Sequence, residues 1–482
     1  SARRTPAPVQ DRLTLTLGSL VSLTYERDVS GTEPRVLRGA IGIGADTLDA
    51  VMLPEQGINA NIHLPQFNVD AWADLLAQVT AAPLGTPDAG KHPELAYLPS
   101  NLAVRADVLT FGTRQFNRLV LGAGRDGLLW RANVDSAELN GYLEYRQPDA
   151  ANANSAGAVY GRLTRLIITP SIANDVEALL DTESASVPAL DLLVDDFELR
   201  GKRLGRLEVE AVNRLGSGPA GVNEWRLNKL NLSMPEATLT ANGNWARLNA
   251  QNGGAPGASN RPERHRTVMN FKLDIADGGK LLNRFGMKDV VRQASGKIEG
   301  QLAWIGPPFS VDYPTLGGAV TVNVLSGQFL KADPGLAKLL GVLSLQALPR
   351  RLVLDFRDVF SDGFAFDFLR GNVAVEKGLA RTNNLQMKGI NAAVLMEGVA
   401  DIDRETQDLK VVVVPELNAG TAALIATVIN PAIGLGSFLA QLFLSKPLIE
   451  SATQEFHVNG SWADPKVTKV KHVTSTSKEK PP

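Results

Sequence analysis

The residues best suited to chemistry are few and poorly placed for it. Gly122-Ala-Gly124-Arg-Asp-Gly127 matches the G-x-G-x-x-G spacing that brings backbone amides up to a pyrophosphate where a strand passes into a helix. Leu128-Leu-Trp130 follows with the pattern of a strand, so a hairpin turn is expected there and not a nucleotide site. The five histidines, His63, His92, His265, His457 and His472, are scattered, with no pair at metal-ligand spacing. Cysteine is absent, which removes disulfides, thiolate metal sites and a cysteine nucleophile. No G-x-S-x-G elbow occurs, and Asp355 and Asp358 flank Arg357 on a polar face where solvated ion pairs are the default. Neither an enzyme activity nor a cofactor is expected.

Composition narrows the partners. The 482 residues carry 49 basic and 51 acidic side chains, a net charge of −2, without the basic stripe a nucleic-acid binder needs. A chain this long outgrows a single compact core, so several domains or an elongated architecture is expected. It begins Ser-Ala-Arg-Arg without a hydrophobic leader. An excerpt of a longer polypeptide is the expectation, with any amino-terminal anchor outside it.

The elements that would position any site are mostly strands. Leu13, Leu15 and Leu17 alternate with Thr14 and Thr16, and the two-residue period returns at Val21–Tyr25, 36–43, 102–111, 116–121, 128–134, 138–145, 204–212, 225–232 and 237–245. Helices interrupt it briefly. Asp70 can cap a turn carrying Trp72, Leu75, Leu76 and Val79; Asp277 can cap one with Leu281, Leu282 and Phe285, closed by Gly286; Asp333-Pro334 starts one with Leu336, Leu339, Leu340 and Leu343. Segments 80–93, 150–158, 181–188 and 251–266 have loop composition. Asn140-Gly141-Tyr142 is echoed by Asn242-Gly243-Asn-Trp245, by Gly300 with Trp304 and by Gly460 with Trp462. Each glycine is expected to ease a bend while the aromatic caps an apolar layer, as at the ends of repeated multi-strand units.

Leu352, Leu354 and Phe356, the turn Ser361-Asp-Gly363, and Phe364, Phe366 and Phe368 have the form of a hairpin with one greasy face. A sheet of this length, apolar on one side, needs an equally long cover, and three or four short helices are not enough. A second sheet could cover it. So could acyl chains, and these six residues are then candidates to line a lipid groove.

The uncharged run Leu417 to Ser445 is the other feature in search of a surface. Its middle, Ala422 to Leu444, has the length of a bilayer span, yet Asn430-Pro431, Gly434 and Gly436 favour a kinked helix or two short ones. A membrane crossing, a hairpin buried in the protein and a helix pair lying on a membrane or lipid all remain open. Leu424, Ile425, Ile433, Phe438, Leu442 and Phe443 are the candidate contacts, at a membrane or at the groove's end. Beyond 465 the tail carries Lys466, Lys469, Lys471, Lys478 and Lys480. It has the composition of a disordered, soluble end.

Gly327-Gln-Phe-Leu-Lys-Ala-Asp333, Ala347-Leu-Pro-Arg-Arg351, the stretch Leu354 to Asp367, Val411-Val-Val-Val-Pro415, Asn430-Pro431 and Val458-Asn-Gly-Ser-Trp-Ala-Asp-Pro465 resemble the carboxy-terminal part of the YhdP branch of the AsmA-like proteins. Asp70-Ala-Trp72 with Leu75-Leu76 resembles an earlier piece, the likeness being dense from about 271 to 465. The resemblance implies a repeating β-groove, bridge-like lipid transfer protein: periplasmic, held to the inner membrane by a helix absent from this chain, and delivering phospholipid to the outer membrane for its permeability barrier. Its partners would be phospholipids and the two membrane surfaces. A factor for outer-membrane protein assembly and a structural β-rich periplasmic protein are the alternatives.

The expected fold is therefore mainly β, a long twisted antiparallel sheet curled into an open apolar groove, with a few short amphipathic helices and a C-terminal apolar helical segment. At the usual strand spacing such a trough would run on the order of 150 Å. Residues 1–266 would hold groove repeats, 267–415 a second groove with capping helices, 416–465 the apolar segment and closing strand, and 466–482 the tail.

Overall fold

The computed structural model describes residues 9–31, 34–44, 52–72, 97, 99–112, 114–148, 157–169, 187–214, 224–247, 265–308, 310–330, 364–389, 392–415, 434–445 and 453–470. It is mainly β, with 24 strands among the described residues, in two compact units, Ser1–Trp225 and Arg226–Pro482.

The first unit is one sheet whose eleven strands each pair with the next in chain order: β1 (Gln10–Leu17), β2 (Val21–Asp28), β3 (Arg35–Ile43), β4 (Gly57–Asn68), β5 (Asn101–Phe111), β6 (Arg114–Asp126), β7 (Leu129–Asp135), β8 (Leu139–Arg146), β9 (Ala158–Ile168), β10 (Ala189–Leu199) and β11 (Lys202–Arg214). Antiparallel pairing dominates, as expected. Three joints depart from it: β3 with β4, β4 with β5, and β9 with β10 are parallel. A parallel joint needs a crossover of a dozen or more residues, and each falls at a long connection, 44–56, 69–100 and 169–188.

In the second unit, β13 (Ala237–Arg247), β14 (His265–Ile275), β16 (Gly296–Ile305), β17 (Gly317–Val324), β19 (Phe364–Glu376), β20 (Leu379–Gly389), β21 (Ala392–Asp401), β22 (Thr406–Pro415), β23 (Gln454–Ser461) and β24 (Pro465–Lys469) form an antiparallel meander. β12 (Glu224–Ser233) precedes them. Two short strands, β15 (Val291–Arg292) and β18 (Gly327–Phe329), make a side ladder against the first residues of β19.

Helix α1 (Gly278–Arg284) follows β14. Asp277 caps it, its carboxylate accepting from the Lys280 amide at 3.1 Å, and Gly286 leaves it with a left-handed φ of 95°. Arg284, in its last turn, is clamped to the buried carboxylate of Glu236, which holds the helix to the β12–β13 turn. That guanidinium keeps the Glu236 carboxyl below the usual carboxylate range. At the earlier helical start, residues 69–72, the cap is Asn68, not Asp70: Asn68 Oδ1 accepts from the Ala71 amide at 3.0 Å, while Asp70 accepts from the Gly112 amide.

Candidate functional site

Residues paired across a ladder share a face of the sheet, so the registers trace which side chains stand together. In the first unit the row Leu15, Leu23, Ile41, Ala60, Leu102, Ala123, Ala132, Leu143, Gly161, Leu192, Val209 crosses all eleven strands without a polar side chain. The row beside it, from Leu17, Val21 and Ile43 to Leu163, Val194 and Leu207, is apolar as well. Most of the first row is neither sealed nor fully open: Leu23, Ile41, Leu102, Leu143 and Leu192 are half-buried. At the edge strand β1 the row is laid bare, Leu15 being 55% and Leu17 63% exposed.

The opposite face is polar along the same strands. Asn101 donates to Asn59 at 3.0 Å, Tyr142 to Glu144 at 2.6 Å, and Arg162 pairs with Asp191 at 2.9 Å. Alternation of this strictness gives the sheet one wet and one greasy side.

The second unit repeats the division. Leu239, Leu273, Ile298 and Val322 are in register on one face, with Phe271, Val320 and Val373 in the next row. Lys272 with Asp274 and Lys297 with Glu299 occupy the other face, joined by an amide ladder of Asn242, Asn270 and Gln301. The echoed glycines stand on the apolar faces. A Cβ on Gly141 would lie 2.4 Å from the Arg162 carbonyl oxygen, one on Gly243 2.2 Å from that of Val268, and one on Gly300 2.3 Å from that of Ala319. Any larger residue would push the neighbouring strands apart, so the close approach of the next strand's backbone reserves these positions for glycine. Trp245 and Trp304 beside them are buried, whereas Trp462 is 45% exposed.

From β19 to β23 the apolar face is closed. Ala294, Phe366, Met387, Val394, Val411, Val413, Phe456 and Val458 form one cluster, 0–8% exposed, with Val291 and Phe329 packed against it. The candidate phenylalanines part here. A bulge between Phe366 and Phe368 puts two residues of β19 against one of β20. Phe366 enters the cluster; Phe368 lies on the other face, its ring under the Arg370 guanidinium at 4.1 Å. The expectation that both share a face is thus corrected. Leu352, Leu354, Phe356 and the Phe364 side chain lie outside the described residues.

Helix α2 (Gly434–Ser445) is the described part of the uncharged run. Leu435 and Leu439 are buried against Ala393, Leu395, Val412 and Val414, with Phe438 and Phe443 partly buried beside them. Those strand residues alternate with Val394, Val411 and Val413, so α2 packs on the side of the sheet opposite the closed cluster. Leu444 projects outward, 85% exposed. Leu424, Ile425, Ile433 and the Leu442 side chain lie outside the described residues. Among the described residues no helix is long and apolar enough to cross a membrane. The G-x-G-x-x-G segment forms the β6–β7 hairpin, with Gly127 in the turn at φ 58°.

What the fold presents is a β-sheet protein with an apolar row across all eleven strands of its first unit, a like face over β13, β14, β16 and β17 of its second, and no helix after its glycine-rich turn. The family model for the YhdP protein matches residues 1–467, and the chain belongs to the YhdP family. It is similar to the intermembrane phospholipid transporter YhdP of Escherichia coli (strain K12), 25% identical over 438 residues that cover 88% of this chain and 32% of that protein. The chain thus spans about a third of the length of that curated relative. No solved structure matches it.

Proposed function

We propose that this chain carries phospholipid between the inner and outer membranes, in the periplasm, with acyl chains lying on the apolar rows of its sheets, and so supports the outer-membrane permeability barrier. The observation that carries the reading is the row from Leu15 to Val209, apolar on every strand and half-accessible along most of its length. A relative that transports phospholipid between membranes supports the choice of cargo.

For the acyl chains the physics is that of a refuge with no preferred stopping point. Each buried methylene gains about 0.8 kcal/mol, so a lipid tail is held strongly by a face that water would otherwise wet. Stepping to the next strand exchanges leucine or alanine for the same, so the gain on arrival matches the loss on leaving. A headgroup stays hydrated at the open side. No covalent step is called for, and neither is a cofactor. The lining is assigned to the traced rows; Phe366, within a dry cluster, and Phe368, on the other face, are placed outside it. Inner-membrane attachment by a helix elsewhere in the protein belongs to the same proposal.

The test uses neighbours on one strand that face opposite ways. A photo-crosslinking amino acid at Leu143 should yield phospholipid adducts by mass spectrometry in cells, and one at Glu144 should not. Equal labelling, or none at either, would remove the assignment of this face to lipid.

A further inference from the structure

Arg125, inside the glycine-rich hairpin, faces the apolar side and not the polar one. Register places it opposite Trp130, Trp130 opposite Tyr145, and this row continues through Val159, Leu190 and Ala211. It is the row at the margin of the sheet, next to Ala123, Ala132 and Leu143. The guanidinium lies over the indole, 5.7 Å from its ring centroid.

Arg105, Arg118 and Arg146 also lack partners among the described residues, but on the polar face; what sets the trio apart is that its polar tips stand on the apolar side. Elsewhere in this unit Arg12 and Arg38 share Glu26, Arg27 grips Asp11, Arg131 pairs with Glu144 and Arg162 with Asp191. Tyr25 donates to the Tyr97 carbonyl at 2.9 Å and Trp225 to that of Pro188 at 3.1 Å. Among the described residues, the Arg125 guanidinium, the Trp130 indole N–H and the Tyr145 hydroxyl have no hydrogen-bonding or ion-pair partner in the protein. Tyr145 is 38% exposed; the other two are half-buried. Three unspent donors, one cationic, thus line the border between a greasy surface and water. That is where the phosphate of an amphiphile falls when its tails lie on the adjoining rows.

We propose that Arg125, Trp130 and Tyr145 form a binding site for a phosphate monoanion, the phosphodiester of a glycerophospholipid whose acyl chains rest on Ala132 and Leu143. A guanidinium presents paired N–H groups that match two phosphate oxygens, and Trp and Tyr put a donor at the wet end of an apolar body. The inference rests on the proposed function and adds to it a point along the sheet where the headgroup is recognised.

The test compares lipids that differ only in phosphate. The full chain is incubated with vesicles containing phosphatidylglycerol or diacylglycerol of matched acyl chains, and bound lipid is counted by native mass spectrometry. The wild type should load phosphatidylglycerol in preference, and Arg125→Gln should cut that preference by roughly tenfold, the scale of one charge-assisted hydrogen bond. Trp130→Phe with Tyr145→Phe should cut it further, all with unchanged melting curves. Diacylglycerol, which offers Arg125 nothing to hold, reads the apolar face alone. Intact loading with the preference unaltered in Arg125→Gln would overturn the site and leave the transport reading standing. A wild type that loads neither lipid would overturn both. Millimolar inorganic phosphate should not compete; full competition would assign the site to the free anion and overturn the headgroup claim.

Discussion

At the scale of single residues, position on one face or the other decides what a side chain is for. Phe366 and Phe368 are two apart in a strand and would share a face by alternation, but the bulge between them sends one into a dry cluster and the other under Arg370. Phe366→Asp should therefore cost about 3 kcal/mol or more, since it buries an unpaired carboxylate. Phe368→Asp should cost less than about 1 kcal/mol. Urea denaturation of the two variants checks both values. Tyr25 is a second case. Burial on the apolar face, with Tyr97 close by, pushes its phenol from 10.0 up to about 12. The unfolded chain ionises at about 10 while the folded one does not, so Tyr25 supports the fold fully below 10 and progressively less as pH climbs toward 12. Replacing it by Phe should flatten the pH dependence of stability in that window, as thermal melts in alkaline buffer would register.

Among elements, α2 bears on how the uncharged run is used. Its buried stripe packs on Leu395 and Val412, opposite the closed cluster. Leu435→Ala should cost about 2–4 kcal/mol and speed amide exchange through 434–445, while lipid loading on the traced rows stays as it was. A large drop in loading would instead tie the helix to cargo. Much at this scale was legible in the sequence. Strands 102–111, 128–134 and 237–245 announce themselves by alternation and by turns such as Gly127, and α1 by Asp277 and Gly286. β4, β9 and β10 were not legible. They border the parallel joints, which are crossed by long connections and not by hairpin turns, and β4 carries Pro65 and polar asparagines that mask its period. The bulge in β19 left no sign either, because it follows from strand pairing and not from composition.

For the molecule as a whole, what matters is that a row is only as passable as its worst position. Leu192 is half-buried in the row from Leu15 to Val209. A charge there should leave the melting temperature nearly unchanged yet slow vesicle-to-vesicle phospholipid transfer by roughly tenfold or more, because a tail crossing it forfeits the burial of two or so methylenes. Asp191→Ala, on the polar face of the same strand, should not slow transfer. The apolar character of the face was foreseeable from the alternating leucines. That it is closed between β19 and β23 was not, since closure depends on Val291 and Phe329 arriving from the side ladder and Ala294 from beside it.

The three parallel joints of the first unit also set the order in which it can be made. β5 to β8 can zip as successive hairpins as soon as they are synthesised, each neighbour a short turn away. β4 must wait for β5 across 69–100, and β9 for β10 across 169–188, paying loop-closure entropy before any ladder bond repays it. During that interval the growing chain displays unpaired strand edges bearing leucine and valine, and its yield depends on how well it is shielded from other copies of itself until those long connections close.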